Sequence, residues 1–204
     1  MTAAQQTPLL RKALLWSVAS LGWALLVGGM SVFEGLLVGS TALVGFGLGS
    51  LADGGASATL IWRFEHELSG HPASHELERR ATVVVGGLLA VIAVYLVIRA
   101  GVALTQHTGP HGSPLAFGLT ATSVLVLPIL ARAKLALSGP VGSRALRADG
   151  VLSAAGAALA TATLVALALN GVGLWWADSA AALLIALVLA RESTLTLRTY
   201  SRPE

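Results

Sequence analysis

The chain has 204 residues, of which 55% are hydrophobic and 11% are charged, and its mean hydropathy is +0.77. Soluble domains carry about 25% charged residues, so this composition excludes a soluble enzyme, a disordered tail and a nucleic-acid-binding domain. The chain has no cysteine, which excludes disulfides, thiolate zinc sites and iron–sulfur clusters. A net charge of +3 fits a membrane protein with a few basic loop residues.

Six stretches are apolar enough, and long enough, to cross a membrane, which takes about 20 residues. In chain order they cover residues 13–33, 36–62, 82–104, 114–131, 145–168 and 175–190. We therefore predict an all-α integral membrane protein with a six-transmembrane-helix bundle over residues 13–192. Residues 1–12 and 193–204 are predicted to be short cytoplasmic segments. The first stretch lacks the flanks of a cleavable signal peptide, so we expect it to be retained.

Basic residues fall almost entirely on one side of these stretches. Twelve of the thirteen lysines and arginines, Lys134 among them, would lie on the side of the two termini, and Arg99 on the other. Because basic loops stay in the cytoplasm, both termini are predicted to be cytoplasmic. The expected surroundings are a lipid bilayer, and no nucleic-acid partner is expected.

Three acids fall at or near membrane depth, where a carboxylate costs about 2.5 kcal/mol or more and marks a candidate functional site. Asp53 is the deepest, well inside the second stretch. We interpret it as a cation- or proton-binding residue, with a hydrogen-bonded structural carboxyl as the alternative. Asp149 and Asp178 stand near the starts of the fifth and sixth stretches, where placement at a helix N-terminus is a sufficient explanation.

The loop between the second and third stretches is rich in groups that bind divalent metals. This histidine loop contains His66, His71 and His75 beside Glu65, Glu67 and Glu76. Imidazole and carboxylate suit Zn²⁺ and similar ions, but the histidine spacings of five and four residues form no zinc-finger signature. We expect this loop to collect ions as an auxiliary site, with a solvated polar loop as the alternative.

No Walker A, G-x-S-x-G or H-E-x-x-H pattern occurs in the sequence. These patterns mark ATP-driven transport, esterase chemistry and zinc proteolysis, respectively. We therefore expect neither an enzyme nor a resident cofactor.

Four short strings occur in an order that resembles the cation diffusion facilitator superfamily. They are residues 39–43 (GSTAL), 50–53 (SLAD), 143–149 (SRALRAD) and 176–181 (WADSAA). The resemblance covers almost the whole chain and is greatest for a compact bacterial branch that lacks the cytosolic domain. It implies a multi-pass protein of the bacterial plasma (inner) membrane that exports a divalent cation, usually zinc, often in exchange for protons.

The resemblance also implies a set of metal ligands. The family's mid-membrane site uses two residues four apart on each of two spans, which here match Gly49, Asp53, Leu152 and Gly156. Of these four, Asp53 alone keeps a ligating side chain. Asp149 matches an acid beside that site, and His71 and His75 match the family's loop ligands by location. Additional oxygen ligands are available from Ser50, Ser57 and Ser153, which form a harder shell than zinc prefers.

Three functions stay open from the sequence. The first is a secondary transporter that exchanges a divalent metal cation for protons, with the cation as cargo and Asp53 as its ligand. The second is a non-transporting relative that serves as a membrane scaffold or partner subunit, which the missing ligands favour. The third is a proton-coupled carrier of a small organic cation. Any homodimer would pack through the transmembrane helices, because the cytosolic domain that helps to join family dimers is lacking.

Overall fold

The computed structural model describes residues 3–69 and 75–200, and within these ranges every regular element is a helix. The elements are α1 (Ala3–Trp23), a π-helical turn (Ala24–Gly28), α2 (Gly29–Val38), α3 (Thr41–Leu68), α4 (His75–Gln106), α5 (Pro114–Val141), α6 (Arg144–Gly171) and α7 (Ala177–Tyr200). The π-helical turn joins α1 and α2 without a break. The predicted all-α class is confirmed, and α1 and α7 extend into the two segments predicted as terminal tails.

Within the described ranges, five helical segments are long and apolar enough to cross a membrane. They are Thr7–Val38, Gly86–Gln106, Pro114–Val141, Ala145–Gly171 and Ala177–Arg198. The chain is therefore a multi-pass helical membrane protein. The sixth long helix, α3, coincides with the second predicted stretch but is not one of these five segments, and its sequence includes several glycines and serines as well as Asp53.

The break between the first two predicted stretches falls later than the sequence suggested. The continuous helix formed by α1, the π-helical turn and α2 runs through Glu34 to Val38, and the chain turns at Gly39 and Ser40. Gly39 adopts a left-handed conformation with φ of 76°, which glycine reaches without steric cost. The Ser40 hydroxyl then accepts a hydrogen bond from the Leu43 amide and caps the N-terminus of α3.

Helix α3 lies at the centre of the bundle. It packs against α1, α2, α4, α6 and α7, while α4 runs along α7 and α5 along α6. Glycines make this central position possible, because small residues allow helix backbones to approach closely. A Cβ atom on Gly47 would stand 2.7 Å from the Gly28 carbonyl oxygen, and one on Gly45 would stand 2.7 Å from Leu96 Cδ1.

Hydrogen bonds tie together the connections at the end of the bundle that follows α2, α4 and α6, which we call the distal end. The His111 amide donates to the Val38 carbonyl at 2.8 Å, and the Asn170 side chain donates to the Pro110 carbonyl at 2.6 Å. Ser113 also donates to the Glu34 carboxylate. These hydrogen bonds hold the connections at the distal end together in this conformation.

Candidate cation site

Six polar side chains from four helices meet inside the bundle, and we call them the polar centre. They are Ser20 on α1, Asp53 and Ser57 on α3, Lys134 on α5, and Asp149 and Ser153 on α6. All six are buried, and the most exposed of them, Asp53, shows 5% of its surface. Ionisable groups buried in a membrane bundle are costly, so this cluster is the strongest candidate for a functional site.

The polar centre is organised around an ion pair. Lys134 Nζ lies 2.6 Å from Asp149 Oδ2, and the two side chains are 0% and 2% exposed. The same ammonium group donates to the hydroxyls of Ser20 at 2.7 Å, Ser153 at 2.9 Å and Ser57 at 3.2 Å. An ammonium group has three protons, so these four acceptors, Asp149 and the three serines, more than satisfy its hydrogen-bonding capacity.

Each carboxylate of the polar centre is also bound by a serine from the opposite helix. Ser153 on α6 donates to Asp53 on α3, 3.3 Å from both carboxylate oxygens. Ser57 on α3 donates to Asp149 on α6, at 3.1 and 3.3 Å. Residues four apart share a helix face, so α3 and α6 each present one carboxylate and one hydroxyl toward the other.

The charges of the polar centre do not balance when all three groups are ionised. Two carboxylates face a single ammonium group, and within the described ranges Asp53 forms no ion pair. Burying an uncompensated charge costs several kcal/mol, by order of magnitude. The polar centre is therefore electrostatically suited to hold an additional cation or proton.

The register of this cluster differs from the one that the family resemblance implied. Ser153, rather than Leu152, points into the polar centre and is completely buried. Gly49 lies away from it, since a Cβ atom there would contact Leu189 at 3.6 Å and Leu159 at 3.8 Å. The two pairs spaced by four residues are thus Asp53 with Ser57 and Asp149 with Ser153. These two pairs were recognisable in the sequence, because each consists of polar residues spaced by four in an apolar stretch.

Sequence reasoning missed two members of the polar centre, Lys134 and Ser20. The fourth predicted stretch ended at residue 131, which placed Lys134 among the cytoplasmic basic residues, whereas α5 continues to Val141. Lys134 lies on the buried face of α5, together with Leu127, Leu130, Ala131 and Ser138. That helical spacing was readable in the sequence, but a lysine lowers the local hydropathy and so appeared to end the span.

The histidine loop is shorter than the sequence predicted, because Glu65, His66 and Glu67 lie in α3, and His75 and Glu76 begin α4. His71 lies outside the described residues, and His75 is the first residue of α4, with a side chain that is not described. His66 stacks on Trp62, with 4.7 Å between ring centroids. In the part of the chain that the structure describes, no three histidine, aspartate or glutamate side chains form a metal-binding group. Metal binding by His71 and His75 stays a prediction.

Asp178 has a structural role apart from the polar centre. This buried carboxylate on α7 accepts hydrogen bonds from the Ser40 hydroxyl and from the amides of Thr41, at 2.8 Å, and Ala42, at 3.3 Å. It therefore satisfies the free amides at the N-terminus of α3, where the helix dipole favours a negative charge. Asp178 lies in the first turn of α7, as the sequence suggested, and the helix that its carboxylate caps is α3.

The chain has a distant relative among known membrane proteins. No family model matches the chain. The chain is similar to transmembrane protein 163 from Xenopus laevis, with 25% identity over 182 residues that cover 88% of this chain and 64% of that protein. The chain thus spans less than two thirds of its relative's length. The relative's name records membrane location, which agrees with the apolar helices described above.

Proposed function

We propose that this chain is a six-span secondary transporter that moves a divalent metal cation across the plasma membrane of a bacterium in exchange for protons. The observation that carries the proposal is the polar centre, where α3 and α6 bring Asp53 and Asp149 together inside an apolar bundle. A purely structural bundle gains little from two buried carboxylates, because apolar side chains of similar size fill the same space at lower cost.

The proposed ligands are all oxygen atoms. They come from the carboxylates of Asp53 and Asp149 and the hydroxyls of Ser57 and Ser153, which already share hydrogen bonds across the α3–α6 interface. An all-oxygen set suits hard divalent cations such as Mn²⁺ and Mg²⁺, and it holds Zn²⁺ less tightly than a histidine-containing set does. The substrate class is therefore divalent, with a wider metal range than the family resemblance alone implies.

The position of the polar centre also supports transport. Asp149 lies in the second turn of α6, about 8 Å along the axis from its first residue, at the end of the bundle opposite the distal end. The distal end is tied by hydrogen bonds, and the polar centre lies nearer to the opposite, predicted cytoplasmic end. Alternating access would then require the contacts at the distal end to separate while the opposite end closes.

A non-transporting scaffold is the second candidate, and one observation favours it. The ammonium group of Lys134 already neutralises Asp149 and bonds three serines, so the polar centre is largely satisfied without an added ion. Under this function the cluster would serve only to fix the arrangement of α1, α3, α5 and α6.

A metal panel in proteoliposomes tests the proposed function. Purified protein is reconstituted with a pH-sensitive dye inside the vesicles, and Zn²⁺, Mn²⁺, Co²⁺ and Mg²⁺ are added outside in turn. We expect at least one cation to drive proton movement above the level of protein-free vesicles. Folded, correctly inserted protein that moves protons with none of them would contradict transport and favour the scaffold. Proton movement in response to a small organic cation, but to none of the metals, would favour the organic-cation carrier.

A further inference from the structure

We propose that Lys134 is a tethered competing cation, whose ammonium group occupies the place of the transported ion and leaves Asp149 when a divalent cation binds. This inference rests on the proposed function for its biological meaning. The binding test below does not require transport, so the two can fail separately.

The ammonium group and the proposed cargo use the same oxygen atoms. Lys134 Nζ contacts Asp149 Oδ2 at 2.6 Å, Ser153 Oγ at 2.9 Å and Ser57 Oγ at 3.2 Å. These residues supply three of the four oxygen ligands proposed for the ion. A divalent cation bound by the same oxygens would stand within a few ångströms of a like charge in a buried site, where repulsion is strong. The two cations therefore exclude each other.

The net charge of the site also depends on Lys134. With Lys134 in place, the two carboxylates and the ammonium group sum to a single negative charge, which a divalent ion would overcompensate. Without the ammonium group, the two carboxylates match a divalent ion. Lys134 thus keeps the empty centre close to neutral and weakens the binding of divalent cations. An exporter needs weak binding, because the ion must also leave the site.

Helix α1 offers the displaced ammonium group an acceptor away from the ion. Lys134 already donates to Ser20 at 2.7 Å. Ser17 lies one turn from Ser20 on the same buried face, and its buried hydroxyl has no hydrogen-bond partner among the described residues. Buried hydroxyls normally have partners, so an orphaned one needs an explanation. The lysine stem is flexible, and a shift toward Ser17 would satisfy that hydroxyl while freeing Asp149.

The binding test compares two lysine variants with the same chemical change. The chain has two lysines, Lys134 in the polar centre and Lys12 exposed on α1. Lys134→Met removes the charge but keeps the length of the side chain, and Lys12→Met is the matched control. Isothermal titration of the purified proteins with Mn²⁺ and Zn²⁺ should show binding at least about tenfold tighter in Lys134→Met than in wild type or the control. Lys134→Arg, which keeps the positive charge, should not show this gain.

A second measurement uses the wild-type protein and does not depend on the folding of a variant. Protein labelled with ¹⁵N at the lysine side chains gives two signals, one for each lysine. Saturation with diamagnetic Zn²⁺ or Mg²⁺ should shift the Lys134 signal and leave the Lys12 signal in place. Equal affinities of folded Lys134→Met and wild type, or an unchanged Lys134 signal with the ion bound, would overturn the inference. Tighter binding by Lys134→Met with no transport by wild type would support the inference and refute the transporter.

Discussion

Removal of the Asp149 carboxylate should strongly destabilise the bundle, because it breaks the direct ion pair of a buried ammonium group, and Asp53, the other carboxylate of the polar centre, forms no ion pair with Lys134. The ion pair is 2.6 Å long, and its side chains are 0% and 2% exposed, so water does not screen it. In Asp149→Ala the three serine hydroxyls would still accept hydrogen bonds from Lys134, but none of them neutralises its charge. Breaking a buried pair from one side costs about 3–5 kcal/mol, and we expect a loss of unfolding free energy in that range.

The double variant Lys134→Met/Asp149→Leu separates the charge effect from packing. Replacing both partners of a buried pair by apolar groups is often neutral, or stabilising by about 1–4 kcal/mol. The double variant should therefore be markedly more stable than Asp149→Ala, although three serines lose a partner. Denaturant unfolding in detergent, followed by helical circular dichroism, measures all three proteins. If Asp149→Ala stays within about 0.5 kcal/mol of wild type, the pair is not buried as described and the reasoning fails.

Three further predictions test the topology, the histidine loop and the packing of α3. Reporter fusions should read as external at Gly112 and Asn170 and as internal at Gly139; an internal reading at Gly112 would refute the predicted orientation. Alanine at the three histidines of the histidine loop, His66, His71 and His75, should weaken apparent ion affinity and leave maximal flux in vesicles intact, whereas abolished flux in folded protein would place the main site there. Gly47→Ala should cost about 1–3 kcal/mol, because its Cβ would meet a backbone oxygen at 2.7 Å, whereas Gly87→Ala meets nothing within 4 Å and should be neutral or mildly stabilising in thermal unfolding. Equal melting temperatures for the two glycine variants would contradict the close packing of α3.

The helices could be predicted from the sequence because length and apolar composition are local properties. All six predicted stretches coincide with long helices, and five of these helices meet the criteria for a membrane span. The predicted bounds are wrong where a contact between residues distant in the chain determines where a helix ends. The fourth stretch was ended too early, because the partner that allows Lys134 to be buried is on another helix. The first break was misplaced, because the αL turn at Gly39 and the cap at Ser40 outweigh the polarity of Glu34.

The candidate site was predictable in its acids but not in its arrangement. Asp53 and Asp149 stand out as carboxylates near membrane depth, and the structure brings both to the polar centre. The rotation of α3 and α6 about their axes decides which neighbours join them, and tertiary packing sets that rotation. The role of Asp178 depends on a contact with Thr41, 137 residues away in the chain. No local pattern carries such information.

The measurement that most directly tests the role of the polar centre is cation-driven proton movement in vesicles containing Asp53→Asn. This change keeps the shape of the side chain and a hydrogen bond with Ser153 while removing the charge. Glu192→Gln makes the same chemical change on α7, outside the polar centre, and serves as the matched control. We predict that wild type and the control move protons in response to a divalent cation and that Asp53→Asn does not. Movement at the wild-type rate by folded Asp53→Asn would contradict the assignment of the polar centre as the exchange site.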